Sequence, residues 1–215
     1  MGLFQRAPQT EEEVAASPPL SLTPSEVAEL DEDQWYAKAY RGDHAPQLTA
    51  RAILMGALLG FGLAFTNLYI GLKTGWHLGV AITACIISFA VWQGLLALRI
   101  ARTPMTILEN NCMQSTASAA GYATGSTLVS AIPALLMMSV TPEHPTGIPL
   151  PFTVLLGWVF FLAMLGTCLA IPMKRTMINR ERLRFPSGTA AAVTLQSLYA
   201  DSAAAIRKAK ALLWS

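Results

Sequence analysis

Long uncharged stretches alternate with short charged ones over most of the chain. No charged residue occurs for 21 residues from 52 to 72, for 23 residues from 76 to 98, or for 24 residues from 150 to 173. A helix rises about 1.5 Å per residue, so the shortest stretch would be about 31 Å long, which matches the hydrocarbon thickness of a bilayer. The pattern predicts three membrane-spanning helices.

The stretch from 104 to 140 predicts a fourth span of a different kind. It is too long for one straight span, it carries many polar side chains, and two glycines and Pro133 interrupt it. We expect one long, broken membrane helix with Thr103 as its N-cap and Pro104 at its first position. A further helix is predicted to begin at about residue 187.

Residues 1–50 differ in composition from the rest. Nine of the thirteen acidic residues lie there, together with several prolines, and no apolar stretch resembles a signal peptide. We expect an acidic, disordered cytoplasmic tail, followed by a transmembrane domain over residues 51–215. The segment 34–41 mixes aromatic and cationic side chains, which suits a membrane-proximal anchor or a partner-binding helix.

Composition excludes several classes of protein. The chain is 53% hydrophobic and only 13% charged, against about 25% charged in soluble domains. So few charges cannot cover a soluble globular domain, and so much apolar surface excludes a disordered protein. The net charge of +2 is too small to predict a nucleic-acid partner. The fold class expected is an all-α, polytopic transmembrane helical bundle in the lipid bilayer.

The distribution of cations predicts the orientation. The loop 174–184 carries five Lys or Arg residues, the loop after Leu98 carries two, and the loop 141–149 carries none. Cations are enriched in cytoplasmic loops. Four crossings with a cytoplasmic N-terminus satisfy all three loops, whereas a re-entrant hairpin over 103–140 would place the cation-free loop inside.

Polar side chains form a stripe on the broken span. Asn111, Ser115 and Ser118 recur at helical spacing, and Asn110 and Gln114 lie alongside them. Unpaired polar groups in lipid cost several kcal/mol each, so the stripe must face protein or water. It either lines a pathway for a polar substrate or hydrogen-bonds neighbouring helices, at about 0.6 kcal/mol per bond.

Glu109 is the only acid within any predicted span. Ionisation of a carboxyl in the membrane is costly, so burial favours the protonated form, which suits proton coupling. The alternative is that Glu109 lies near the cytoplasmic end and pairs with Arg99 or Arg102.

Two further clusters are candidates for the pathway. Lys73 either meets an anionic substrate group or extends to the membrane surface, and Asn67 lies on the same span. The sequence Ser187-Gly188-Thr189 offers backbone N–H groups to an anion at a helix N-terminus, or caps the helix in the ordinary way. The candidates for a substrate or proton pathway are Asn67, Lys73, Glu109, Asn110, Asn111, Gln114, Ser115, Ser118, Ser187, Gly188 and Thr189.

The sequence does not predict an enzyme. The three histidines are isolated and the three cysteines are far apart, so neither set has metal-ligand spacing, and no nucleophile elbow or phosphate loop occurs. No cofactor and no metal site are expected.

Four segments together resemble successive motifs of the oligopeptide transporter superfamily, above all its prokaryotic members and its yellow stripe-like branch. They are Ala64–Gly75 (AFTNLYIGLKTG), Glu109–Tyr122 (ENNCMQSTASAAGY), Ile171–Met177 (IPMKRTM) and Arg184–Ala192 (RFPSGTAAA). Their order and spacing extend the resemblance over residues 50–205, and the acidic tail lies outside it.

The resemblance implies a proton-coupled symporter that imports small oligopeptides or metal-chelate complexes, working by alternating access in a bacterial inner membrane. It also implies a much larger polytopic protein, of which this chain would be an N-terminal fragment. A membrane channel is one alternative. A small membrane scaffold or assembly subunit is another, if the chain truly ends at Ser215. Four spans hold only half a pathway, so such a chain would either form an obligate homo-oligomer or carry out no transport at all.

Overall fold

The computed structural model describes residues 4–17, 21–42, 45–76 and 79–200. The described residues form helices and loops, without a strand beyond the isolated bridge between Gln5 and Thr49. Four helical runs are long and apolar enough to cross a membrane. The predicted all-α, polytopic class is confirmed.

Nine α-helices occur in the described part of the chain. Three are short and precede the membrane-length helices: α1 (Glu11–Ala15), α2 (Pro24–Glu29) and α3 (Glu32–Lys38). The others are α4 (Ala50–Thr74), α5 (Val80–Ala97), α6 (Ile107–Ala123), α7 (Ile132–Met138), α8 (Phe152–Lys174) and α9 (Pro186–Ala200). A π-helical segment, Thr124–Ala131, joins α6 to α7, and a second one, Arg175–Arg180, extends α8.

The structure places three short helices where the sequence suggested a disordered tail. Each begins at a side-chain N-cap, Thr10, Thr23 or Asp31, whose oxygen accepts a bond from a first-turn N–H group. In α2, Glu26 completes the capping box because it accepts the Thr23 backbone N–H at 2.7 Å. That bond, with the Thr23 hydroxyl, holds the pKa of the Glu26 carboxyl below its usual value.

The third membrane-length run begins three residues later than the sequence suggested. The N-cap is Thr106, not Thr103, so that prediction is wrong. Thr106 and Glu109 form a reciprocal capping box, which satisfies two free N–H groups at once. Thr103 instead accepts a bond from Arg51 and donates one to the carbonyl of Pro8. The run stays helical to Met138, with a π-helical segment over Thr124–Ala131 in its middle.

Helices α4 and α6 run parallel in close contact. The side of α4 that faces α6 carries small residues, because Gly56 and Gly60 lie directly against Met113 and Ala117, and Gly71 lies against Val129. Such small residues let two helix backbones approach closely.

The remaining long helices differ in how much they pack. α5 runs antiparallel to α6, and it packs against α9 through Cys85, Phe89 and Leu198, among others. None of the residues of α8 is buried. The packed core is therefore α4, α5, α6 and α9, and the candidate site lies where α6 begins.

Candidate functional site

Glu109 lies in the first turn of α6 and is fully buried. Its carboxylate accepts four hydrogen bonds. The Thr49 hydroxyl donates to Oε1 at 2.7 Å and Arg51 Nε donates to Oε1 at 2.8 Å. Arg51 Nη2 donates to Oε2 at 2.6 Å, and the Thr106 backbone N–H donates to Oε2 at 3.0 Å. Both oxygens are thus fully used, and the helix N-terminus adds a favourable dipole.

Arg51, in the first turn of α4, is the cation of this site. Its side chain is 18% exposed, and it donates further to the Thr103 hydroxyl at 2.8 Å and to the carbonyl of Pro104 at 3.2 Å. The guanidinium carbon lies 5.3 Å from the centre of the Trp92 ring, which adds a cation–π contact. The pair therefore ties together the starts of α4 and α6 and the end of α5.

The structure brings Glu109 a partner that sequence reasoning did not name. The expected alternatives, Arg99 and Arg102, lie in the loop after α5, whereas the bidentate partner is Arg51, 58 residues before Glu109. Removing one member of a buried ion pair leaves an unpaired charge, which is strongly destabilising.

Asn110 points to the other side of α6, toward α5. Its Oδ1 accepts the Ser88 hydroxyl at 2.9 Å, and both residues are fully buried. Its Nδ2 meets no acceptor among the described residues. The side chain borders a cavity of about 190 Å³ between α5 and α9 that Trp92 and Tyr199 also line. A buried amide donor next to such a cavity can bind a small acceptor such as water.

The predicted polar stripe divides over two faces of α6. Gln114 and Ser118 are buried in the helix packing, 3.4 Å apart between Nε2 and Oγ. Asn111 and Ser115 are exposed. Because a membrane-length helix cannot present polar groups to lipid without cost, the exposed face requires water or protein beside it.

Asn67 and Lys73 lie on α4 but away from the ion pair. The Asn67 amide donates to the carbonyl of Gly121 at 2.9 Å and is buried, so it braces α6 just before the π-helical segment. Lys73 is exposed in the last turn of α4, where the negative end of the helix dipole stabilises a cation. By helix rise it lies about 33 Å from Arg51.

The Ser187–Thr189 sequence forms the first turn of α9. Ser187 and Gly188 are exposed, and the Thr189 backbone N–H already donates to the carbonyl of Phe185 at 3.0 Å. α9 approaches α6 further along, where Leu195 and Gln196 share a cavity with Asn111. The structure therefore separates the predicted candidates into six on α6 and five outlying ones, two on α4 and three on α9.

Sequence reasoning missed the residues that complete the Glu109 site. Arg51 had a signal, a cation at the start of a span, but it was interpreted only as a boundary. Thr106 also had one, because Thr-x-x-Glu before a helix is the pattern of a capping box. Thr49 and Trp92 had none, since only the packing brings them to Glu109 and Arg51.

The chain matches a known family over most of its length. Residues 47–215 match the family described as OPT oligopeptide transporter protein. The match begins just before α4, so it contains all four membrane-length helices, while α1 to α3 lie outside it.

Individual relatives agree with this match. The chain is 31% identical over 160 residues to a putative oligopeptide transporter of Saccharomyces cerevisiae, which covers 71% of this chain and 22% of the relative. It is 33% identical over 130 residues to a putative oligopeptide transporter of Haemophilus influenzae, and this alignment covers 60% of this chain and 18% of the relative. It is 26% identical over 193 residues to a metal-nicotianamine transporter of Arabidopsis thaliana, and this alignment covers 81% of this chain and 28% of the relative.

The chain thus spans about a fifth to a quarter of the length of these relatives. All three carry the names of transporters and none that of an enzyme. No solved structure gives a significant match to the chain.

Proposed function

The chain belongs to the OPT oligopeptide transporter family, and from that premise we propose that the protein carries small oligopeptides or metal-chelate complexes across a membrane by secondary transport. The observation that carries the proposal is the family match over residues 47–215, which takes in every membrane-length helix. The yeast and Haemophilus relatives are named for oligopeptides and the plant relative for a metal chelate, which supports both cargo classes.

The pathway is proposed to follow the exposed polar face of α6. Asn111 and Ser115 lie there on a helix of membrane length, where amide and hydroxyl groups can hydrogen-bond a peptide or a chelate. Gln114 and Ser118, buried on the packed side, support the helix from behind. Alternating access would open this face to one side of the membrane at a time, and the π-helical segment is a suitable hinge.

Proton coupling is proposed to use Glu109, the one acid in the four membrane-length helices. Protonation removes the charge that holds Arg51, so proton binding and opening of the ion pair are the same event. The site lies at the end of α6 from which the polar face begins, so this opening would occur next to the pathway.

The test is uptake of a labelled tripeptide by vesicles that contain the protein, with and without an inward proton gradient. We expect Glu109→Gln to abolish stimulation by the gradient and Glu109→Asp, which retains a carboxyl, to keep part of it. The matched control is Glu143→Gln in the exposed loop before α8, which should behave as the native protein does. Unchanged stimulation in Glu109→Gln would contradict the proton-linked role.

The orientation proposed is a cytoplasmic N-terminus in a bacterial plasma membrane. Support comes from the five cations of the loop 174–184 and from two ion pairs that join this loop to the acidic segment before α4. The Arg182–Asp31 and Arg184–Glu29 distances are 3.0 and 2.7 Å. Both parts therefore lie on one side of the bundle.

A further inference from the structure

A cavity in the described part of the chain lies between α6, α9 and the segment that precedes α4. Its volume is about 750 Å³, within the range of about 300–1,000 Å³ that small-molecule sites occupy. One wall belongs to α6 and α9 and includes Asn111, Leu195 and Gln196. The opposite wall comes from residues 6–47, nearly all of which lie outside the family match.

Side chains just before α6 and on α9 hold the second wall in place. The Thr103 hydroxyl donates to the carbonyl of Pro8 at 2.9 Å, and the Thr106 hydroxyl donates to the carbonyl of Pro46 at 2.9 Å. The Gln196 amide donates to the carbonyl of Leu22 at 2.9 Å. Thr103 and Thr106 also contact the Arg51–Glu109 pair, so the cavity wall and the ion pair share their anchors.

The charges around the cavity favour an anion that also carries an amine. Arg6 and Arg41 line it, and neither takes part in any of the three ion pairs of the described residues. Glu13 is the single carboxylate in the lining. With two cationic side chains and one carboxylate, the lining has a net positive charge. The carboxylate of Glu13 can bind one positive group of a ligand.

The uncharged lining suits an organic ligand with amide groups. Trp35 and Tyr40, whose ring centres are 5.8 Å apart, form an aromatic side of the cavity. Asn111 and Gln196 supply amide donors and acceptors from the opposite wall. Aromatic surface plus a few convergent polar groups is typical of a small-molecule site.

We propose that this cavity is a binding site for short acidic peptides, which meets the polar face of α6 at Asn111 and is built in part by a segment outside the family match. The peptide carboxylates contact Arg6 and Arg41, its amine contacts Glu13, and its backbone lies against Trp35. The inference rests on the proposed function only in that the same ligand class is the proposed cargo.

The experiment measures equilibrium binding of two tripeptides, Ala-Glu-Ala and Ala-Lys-Ala, to the purified full chain by titration calorimetry at low salt. We expect the acidic tripeptide to bind at least tenfold more tightly, and raised salt to reduce this preference. The fluorescence of Trp35 is obtained by subtracting the emission of the Trp35→Phe variant from that of the native chain. This difference should change when the acidic tripeptide is added, because Trp35 lines the cavity.

The decisive variant is Arg6→Gln with Arg41→Gln, which should bring the two affinities within twofold of each other. The matched control is Arg99→Gln with Arg102→Gln, which removes the same charge from exposed residues that do not line the cavity and should keep the preference. A preference that persists without Arg6 and Arg41, or its absence in the native chain, would overturn the inference.

Uptake assays separate this inference from the proposed function. Loss of the binding preference with uptake intact overturns the cavity site alone. Binding with the expected preference in a protein that transports no peptide supports the cavity site and contradicts the proposed transport.

Discussion

Glu109 accepts four hydrogen bonds inside the protein, and Arg51 supplies two of them. A fully buried carboxylate with every lone pair used is stabilised as an anion, but only while its cation stays in place. The same contacts that secure the N-terminal ends of α4 and α6 therefore make the pair sensitive to the loss of either member. The Arg51–Glu109 contacts thus both join α4 to α6 and underlie the proposed role of Glu109 in proton coupling.

The first prediction concerns this pair. Arg51→Met should lower the free energy of unfolding by about 3–5 kcal/mol, because it leaves a buried carboxylate without its cation. Adding Glu109→Gln should recover part of that loss, since the charge that was left unpaired is then absent. The measurement is denaturant unfolding in detergent micelles, analysed as a double-mutant cycle.

Arg102→Met is the control, because Arg102 is exposed and takes part in none of the ion pairs of the described residues. It should shift stability by less than about 0.5 kcal/mol. If the two changes at Arg51 and Glu109 add without coupling, the pair does not act as one unit.

Helices α4 and α6 pack at close range because glycine occupies the contact positions of α4. A Cβ atom added at Gly60 would lie 2.9 Å from the Cβ of Ala120 and 3.1 Å from the Cα of Ala117. At Gly62, two residues away on the same helix, a Cβ atom would meet nothing within 4 Å. The two glycines therefore differ in packing although they lie in the same span.

The second prediction uses this difference. Gly60→Val should destabilise the protein by about 1–3 kcal/mol, because the added groups force α4 and α6 apart. Gly62→Val should change stability by less than about 0.5 kcal/mol. Thermal unfolding of the two variants in the same detergent gives the comparison, and equal losses would contradict the packing described.

At the scale of the whole molecule, the described residues gather a cluster of charged groups at one end of the bundle. The Arg51–Glu109 pair, the segment that contains α1 to α3 and the basic loop after α8 are joined there by hydrogen bonds and ion pairs. α8 itself contributes no buried residue to the core, so its apolar surface is available to lipid or to other helices. The arrangement divides the chain into a packed unit of α4, α5, α6 and α9 and one peripheral span.

The third prediction is the orientation of this charged end. In a protein whose native cysteines have been replaced, a cysteine at Thr141 should react with an impermeant maleimide from outside the cell. A cysteine at Asn179 should react only after permeabilisation, because it lies in the basic loop proposed to be cytoplasmic. The reverse labelling pattern would contradict the proposed topology.

Much of the fold was predictable because the bilayer imposes a local requirement. A span needs about 20 apolar residues in a row, and that is a property of each stretch by itself. A break in the third run was predicted from Gly125 and Pro133, whereas the run stays helical to Met138 and changes only to a π-helical form over Thr124–Ala131. The start of that run was misplaced because Thr103-Pro104 was preferred over the Thr106–Glu109 capping box.

The candidate site was only partly predictable, for a different reason. The residues of α6 were identified from their spacing, but which of them are buried depends on where α4 and α5 press against the helix. Gln114 and Ser118 meet that packing, whereas Asn111 and Ser115 do not. The helical repeat of 3.6 residues shows which residues share a face of α6, but it does not show which other helix packs against that face.

The sequence by itself determined the membrane-length helices, the all-α class and the family, because hydrophobic length and ordered motifs are read along one chain. Only the tertiary structure decided that Glu109 pairs with Arg51, that Asn67 braces Gly121, and that the segment before α4 closes a cavity over Asn111. These contacts join residues separated by more than 50 positions, and they exist because helices α4, α5, α6 and α9 pack in one particular way. Which residues meet in these contacts is set by that packing, and no local sequence pattern predicts it.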